Sequence, residues 1–261
     1  MRLTALLIVL AIPTLAQAKI VTKAVEYRHG DVTLEGYLAY NDELSGRRPG
    51  VLVVHEWWGL NDYVKKRAEM LAELGYVAFA LDMYGKGVVT DDPAKAGQLA
   101  GALRGKPLLV ERARAGLDVL VKQPNVDPER VAVIGYCFGG TTALQLALSG
   151  APLKAAVSFH GALKPVPTPE QLEKTRATLL ICHGAVDPMV PDEEVDAFTD
   201  ALEQSKVDWM LIAYSGAVHS FTNPEASTRK IDGVAYDEKA DKRSWAHMKA
   251  LFEEVFGEKG K

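Results

Sequence analysis

One stretch constrains this chain more than any other: Arg130-Val-Ala-Val-Ile-Gly-Tyr-Cys-Phe-Gly-Gly-Thr-Thr-Ala-Leu-Gln-Leu-Ala-Leu148. Its first part, Val131 to Ile134, is a short apolar run, the pattern of a strand buried on both faces of a parallel sheet. Its last part, Thr141 to Leu148, is rich in Ala and Leu and reads as helix. Between them lie Gly135, Cys137, Gly139 and Gly140, a G-x-C-x-G-G sequence. That is the nucleophile-elbow pattern with Cys in place of Ser. Such a turn strains its central residue, so the positions two before and two after it must be small. It lifts Cys137 above the carboxyl edge of the sheet and sets it at a helix N-terminus, where free N–H groups and the helix dipole favour a thiolate. A tight strand-to-helix turn around a small buried Cys would use the same residues, since free Cys is among the most buried residue types.

The rest of the chain supplies the context. Lys23 to Tyr40 reads as a β-hairpin turning at His29-Gly-Asp31. Arg47-Arg-Pro49 reads as a loop. Gly50 to His55 is a buried strand, with Glu56-Trp-Trp-Gly59 just past its end. Asn61-Asp62 can cap a helix running to Leu74, where Gly75 stops it. Val77 to Leu81 is another strand, followed by Asp82-Met-Tyr-Gly-Lys-Gly87. Helices are expected from Asp91-Asp-Pro93 and from Lys106 to Lys122. After the elbow come a strand at Ala155–Phe159, a helix at Thr168–Arg176 and a strand at Leu179–Cys182. A helix at Asp192–Lys206, a strand at Trp209–Ala213 and a final helix at Asp237–Phe256 complete the series. Strands alternate with helices from residue 50 onward. The expected fold is therefore α/β: a mostly parallel central sheet with helices on both faces and an N-terminal antiparallel hairpin.

The first eighteen residues stand apart. Arg2, the apolar run Leu3 to Ile12, Pro13 and Ala16-Gln-Ala18 form a basic start, a hydrophobic segment and an A-x-A cleavage site. That run is poorly suited to spanning a bilayer. Residues 1–18 are accordingly expected to be a cleaved export signal and 19–261 a single domain, periplasmic or secreted, with no membrane attachment after cleavage. Of the 261 residues 48% are hydrophobic and 25% charged, an ordinary globular balance. Without Arg2 the chain keeps 29 basic against 34 acidic residues, a net charge of −5. No basic cluster marks a nucleic-acid or membrane surface. Two cysteines, Cys137 and Cys182, do not make a disulfide scaffold, although a bridge between them stays open in an oxidising compartment.

Cys137, Asp187 and His219 each fall just past an expected strand, where catalytic groups of open α/β sheets collect. Their order along the chain, nucleophile, acid, His, is that of α/β-hydrolases. The sequence resembles the dienelactone hydrolase family of that fold over about residues 20 to 256. The resemblance rests on His55-Glu-Trp-Trp-Gly59, Leu81-Asp-Met-Tyr84, Gly135-Tyr-Cys-Phe-Gly-Gly140, Gly184-Ala-Val-Asp187 and Val218-His-Ser-Phe221. It implies that Cys137 is the nucleophile, that His219 is the base and acid, and that Asp187 orients His219. It places the oxyanion hole at the backbone N–H groups of Phe138 and Trp57. It also aligns Glu56 with a Glu that contacts the resting Cys, where a carboxylate would keep the thiol protonated.

Two positions depart from the family's founding members, which hold a substrate carboxylate with two Arg. One falls at Lys86, which keeps a cation without the planar fork, and the other at Asn223, which keeps none. Trp57, Trp58, Tyr84 and Phe138 are candidates for the wall of an apolar acyl pocket, and His160 reads as structural. A zincin site is excluded because His55-Glu56 lacks the second His of H-E-x-x-H, and no G-x-x-x-x-G-K-[ST] or G-x-G-x-x-G is present. No metal or cofactor is expected. The expectation is a monomeric esterase or lactonase acting on a small molecule. A peptidase of the same fold, or a binding protein with the two cysteines bridged, are the alternatives.

Overall fold

The computed structural model describes residues 19–257, so the expected export signal lies outside the described residues. Eight strands form one sheet in the order β1-β2-β4-β3-β5-β6-β7-β8. They are β1 (Ile20–His29), β2 (Val32–Asn41), β3 (Arg48–Val54), β4 (Val77–Leu81), β5 (Val126–Tyr136), β6 (Ala155–Phe159), β7 (Thr178–Gly184) and β8 (Trp209–Tyr214). The β1–β2 hairpin is antiparallel and joins β4 antiparallel; from β4 to β8 every pairing is parallel.

The central strands show why the sheet is covered on both sides. In β3, Leu52 and Val54 pack with α3 (Pro107–Val121) and α4 (Phe138–Leu148) on one face, whereas Val51 and Val53 pack with α1 (Asp62–Glu73) and α7 (Glu238–Phe256) on the other. In β4, Phe79 and Leu81 take the first face and Ala78 and Ala80 the second. The first face is also covered by α2 (Pro93–Gly101) and α6 (Asp192–Glu203), and α5 (Pro169–Lys174) adds Leu172. Helix starts follow their capping residues: Asn61 accepts the Val64 N–H, Asp92 the Ala94 N–H and Asp237 the Ala240 N–H, and Thr168 with Gln171 forms a capping box.

Three local expectations are corrected. Arg48 and Pro49 belong to β3 rather than to a loop, because they pair with Val126 and Asp127 at the start of β5. For the same reason β5 begins five residues before the apolar run. Asp127-Pro-Glu-Arg130 hides that segment from any reading based on hydrophobicity, since its outer side is exposed. A single 3-10 turn, Ala226–Arg229, was not expected and carries no periodic signal over four residues.

Candidate active site

The loops after β3, β5, β6, β7 and β8 all leave the carboxyl edge of the sheet, and they bring together residues separated by more than 160 positions in sequence. The elbow is built as its glycines require. Cys137 has φ 53° and ψ −115°, a region that L residues rarely adopt. A Cβ on Gly135 would run into the backbone of Gly139 and Gly140, and one on Gly139 would run into the carbonyls of Val54 and His55. The carbonyl of Cys137 accepts the N–H groups of Gly140 and Thr141, which starts α4 directly behind the sulfur.

His219 Nε2 lies 3.0 Å from Cys137 Sγ, and its Nδ1 lies 2.8 Å from Asp187 Oδ2. The other carboxylate oxygen of Asp187 accepts the Met189 N–H at 2.8 Å, which fixes the plane of the carboxyl group. All three side chains are buried. Burial alone would lower the pKa of His219. The adjacent sulfur of Cys137 and the carboxylate of Asp187 outweigh it and raise the imidazole to about 10. The arrangement therefore favours an imidazolium held between the Cys137 sulfur and the Asp187 carboxylate.

Glu56 is 2% exposed and lines the same cavity. Its Oε1 accepts the Ser220 hydroxyl at 3.0 Å and its Oε2 the Asn223 amide at 2.7 Å. Burial raises its pKa, and these two donors oppose the rise. The expected contact between Glu56 and the resting sulfur is corrected: the hydrogen bonds of the carboxylate go to the loop after His219, and the sulfur faces His219. Behind it, His55 accepts the Met83 N–H at Nε2, so its Nδ1 carries the proton and donates to the Glu56 carbonyl.

Phe138 and Trp57 line the cavity, and among the described residues their backbone N–H groups have no protein acceptor. Trp58 and Asn223 line it as well. Tyr84 and Lys86 do not, and both are corrected. The Tyr84 hydroxyl donates to the Trp57 carbonyl while its ring packs on His55 and Phe138, so it props the loop from behind. Lys86 is turned to the hairpin, where Glu26 at 2.7 Å and Glu35 at 3.1 Å attract its ammonium group. The alternative of a bridge between Cys137 and Cys182 also fails. Both are free thiols, in clusters on opposite faces of the sheet, and burial pushes the Cys182 thiol up to about 12.

The cavity above Cys137 measures about 820 Å³ and is walled mainly by apolar groups, among them Leu109, Val110, Met189 and Ile231. Four cations on its wall were not singled out by the sequence reading: Arg104, Lys106, Lys164, which pairs with Glu194 at 2.7 Å, and Arg229. Arg229 stacks on the Trp58 ring at 3.9 Å and pairs with Asp91 at 3.1 Å. Arg104 stands over the Phe138 ring at 5.8 Å with no ion pair among the described residues. None of the four lies in a motif, so only the fold could bring them here.

An elbow cysteine facing a histidine, with a carboxylate behind it at the carboxyl edge of this sheet, is the arrangement built by α/β-hydrolases, and the chain is a hydrolase of that fold. It belongs to the dienelactone hydrolase family, which it matches over residues 34–256. A dienelactone hydrolase-like promiscuous phosphotriesterase from metagenomic libraries is 42% identical, with a TM-score of 0.87, over 91% of this chain and 99% of that one. The solved structure of m3DLH is 43% identical with a TM-score of 0.88 over the same shares. The protein usf of Aquifex pyrophilus is 30% identical over 236 residues, 88% of this chain and 97% of the relative.

Proposed function

We propose that the protein hydrolyses carboxylic esters or lactones through a Cys137-His219-Asp187 triad. The observation that carries this is the continuous hydrogen-bonded line from Asp187 through His219 to Cys137, on the floor of a largely apolar cavity. The sulfur attacks the acyl carbon, and the carbonyl oxygen takes up the negative charge facing the N–H groups of Phe138 and Trp57. His219 gives its Nε2 proton to the departing alkoxide as the C–O bond breaks, leaving a thioester on Cys137. It then takes a proton from water, whose oxygen attacks the thioester, and the thiolate leaves. Asp187 holds the imidazole in the tautomer that both steps need. The size of the cavity supports substrates with sizeable apolar groups, since pockets of about 300–1,000 Å³ enclose drug-sized molecules.

A panel of p-nitrophenyl esters and small lactones tests the reading, with mass spectrometry of quenched enzyme to find the acyl group on Cys137. Cys137→Ala should abolish turnover in a folded protein. Turnover retained by that variant, or an acyl group found elsewhere, refutes the triad. The phosphotriesterase relative makes p-nitrophenyl diethyl phosphate a second substrate class for the same assay. Arg2, the apolar run and Ala16-Gln-Ala18 support export with a mature N-terminus at Lys19. N-terminal sequencing of exported protein that began at Met1 would exclude that cleavage.

A further inference from the structure

One buried histidine has so far no part in the chemistry. His160 follows β6, is 1% exposed and has φ 43°. Its backbone N–H is held by the Cys182 carbonyl at 2.8 Å, so the ring is aimed at the elbow from a fixed base. Its Nδ1 accepts the backbone N–H of Cys137 at 3.1 Å, a donor that the Phe159 carbonyl shares at 3.0 Å. A backbone N–H can only donate, so Nδ1 is bare and Nε2 carries the proton. That proton goes to Thr222 Oγ1 at 2.7 Å. Thr222 lies three residues beyond His219, and its hydroxyl also meets the Tyr63 hydroxyl at 2.7 Å. One neutral imidazole thus joins the backbone of the nucleophile to the loop that carries the base.

We infer that His160 is a positioning residue, which with Thr222 sets the Cys137–His219 alignment from behind the site. This rests on the proposed triad. Two features favour it over simple core packing. First, Cys137 holds a strained conformation, and the imidazole gives its N–H a second acceptor there. Second, the His160 ring stands edge-on to His219 with 5.3 Å between centroids, where a second cation would oppose the imidazolium. The facing groups keep His160 neutral: burial, the positive charge of His219 and that of Arg67 hold its pKa well below the ordinary value. Its remaining neighbours, Phe221 and Tyr136, add no charge.

Two substitutions cut the same link from opposite ends. Thr222→Val keeps the shape and removes the acceptor. His160→Asn keeps a side-chain acceptor near the Cys137 N–H and tolerates the positive φ, but cannot reach Thr222. With p-nitrophenyl acetate each should lower kcat about tenfold or more, since small displacements of reacting groups cost that much, while KM stays within about twofold. The pH midpoint for iodoacetamide alkylation of Cys137, mapped by peptide mass spectrometry, should move in both. The double variant should lose no more than the worse single one, because both remove one connection. Folded variants with kcat within twofold of wild type overturn the inference. So do losses that multiply in the double variant, or an unmoved alkylation midpoint. Loss of turnover with Cys137→Ala unaffected in the same assay would instead count against the triad reading itself.

Discussion

Asp187→Asn tests the chemistry most sharply, because the structure dictates how the amide must sit. One carboxylate oxygen accepts the Met189 N–H and the other faces His219 Nδ1. The Asn carbonyl must keep the Met189 contact, since two donors cannot face each other there. Its NH2 then points at Nδ1, strips the proton from that nitrogen and moves it to Nε2, the atom facing Cys137 Sγ. A protonated, neutral Nε2 cannot take the thiol proton. The same rearrangement in a Ser-His-Asp triad costs about 10⁴ in kcat. A thiol is the less demanding nucleophile because part of it ionises unaided. The expected loss here is therefore about 10² to 10³ in kcat/KM, or about 3 to 4 kcal/mol of transition-state stabilisation. Stopped-flow release of p-nitrophenol and iodoacetamide labelling should both report it. The pH dependence of stability should change too. His219 is raised in the folded state from 6.5 to about 10, so its contribution is complete below about 6.5 and is lost as pH rises through about 10. Without the carboxylate, urea titrations across that window should give a flatter profile. Activity within tenfold of wild type, with the profile unchanged, would refute the role given to Asp187.

Arg67→Met should cost about 3–5 kcal/mol, because it strands the Asp241 carboxylate now held at 2.6 Å and removes the guanidinium bond to the Thr222 carbonyl; urea denaturation measures it, and a loss under 1 kcal/mol contradicts the reasoning. Gly139→Ala should destabilise by about 3 kcal/mol, since the new methyl meets the Val54 and His55 carbonyls; an unchanged Tm would show that the elbow can relax. Glu56→Gln should leave Tm nearly unchanged, as the Ser220 hydroxyl can turn to accept while Asn223 still donates. It should lower kcat/KM about tenfold, the scale of one charge interaction of about 1.4 kcal/mol, and an effect below twofold would show that the charge is idle.

What could be read in advance was what repeats or strains. The elbow needs glycine at 135 and 139 for reasons of contact, and those reasons are visible in the residues themselves. The buried strands show as apolar runs, and the helix starts show as Asn61, Asp92, Thr168 and Asp237. Asp187 and His219 were legible because each follows such a run. The remaining features depend on packing. Tyr84 stands in a family motif and Lys86 at the position of a family Arg, yet the Trp57 carbonyl claims the first and a pair of hairpin carboxylates the second. Arg104, Arg229 and Thr222 have no local signature; they matter through neighbours on other elements. His160 could be read as structural, but its partner at the Cys137 N–H could not.

The residue at 223 decides how the site treats charge. An amide there gives the Glu56 carboxylate a hydrogen bond but no positive charge. Arg229 lies close enough to favour the ionised Glu56, yet it is already paired with Asp91. A substrate carboxylate beside the reacting carbonyl would therefore approach the buried oxygens of Glu56 with no cation at position 223 to meet it. Arg104 and Lys106 are the cations on the wall without an ion pair among the described residues; Lys106 holds the Ala102 carbonyl, whereas Arg104 is exposed and stands over the Phe138 ring. A negative charge is tolerated best on that stretch of the wall, beside Arg104 and Lys106. Neutral esters should accordingly be cleaved at least as fast as matched lactones that carry a carboxylate next to the reacting group. Arg104→Gln should slow esters with a distal carboxylate several-fold more than neutral ones, on the scale of about 1 kcal/mol for an exposed ion pair. Paired kcat/KM values for the three substrate types measure this. A carboxylate-bearing lactone that outran the neutral esters by a hundredfold would mean that the site meets a substrate charge in a way that this placement of cations does not provide.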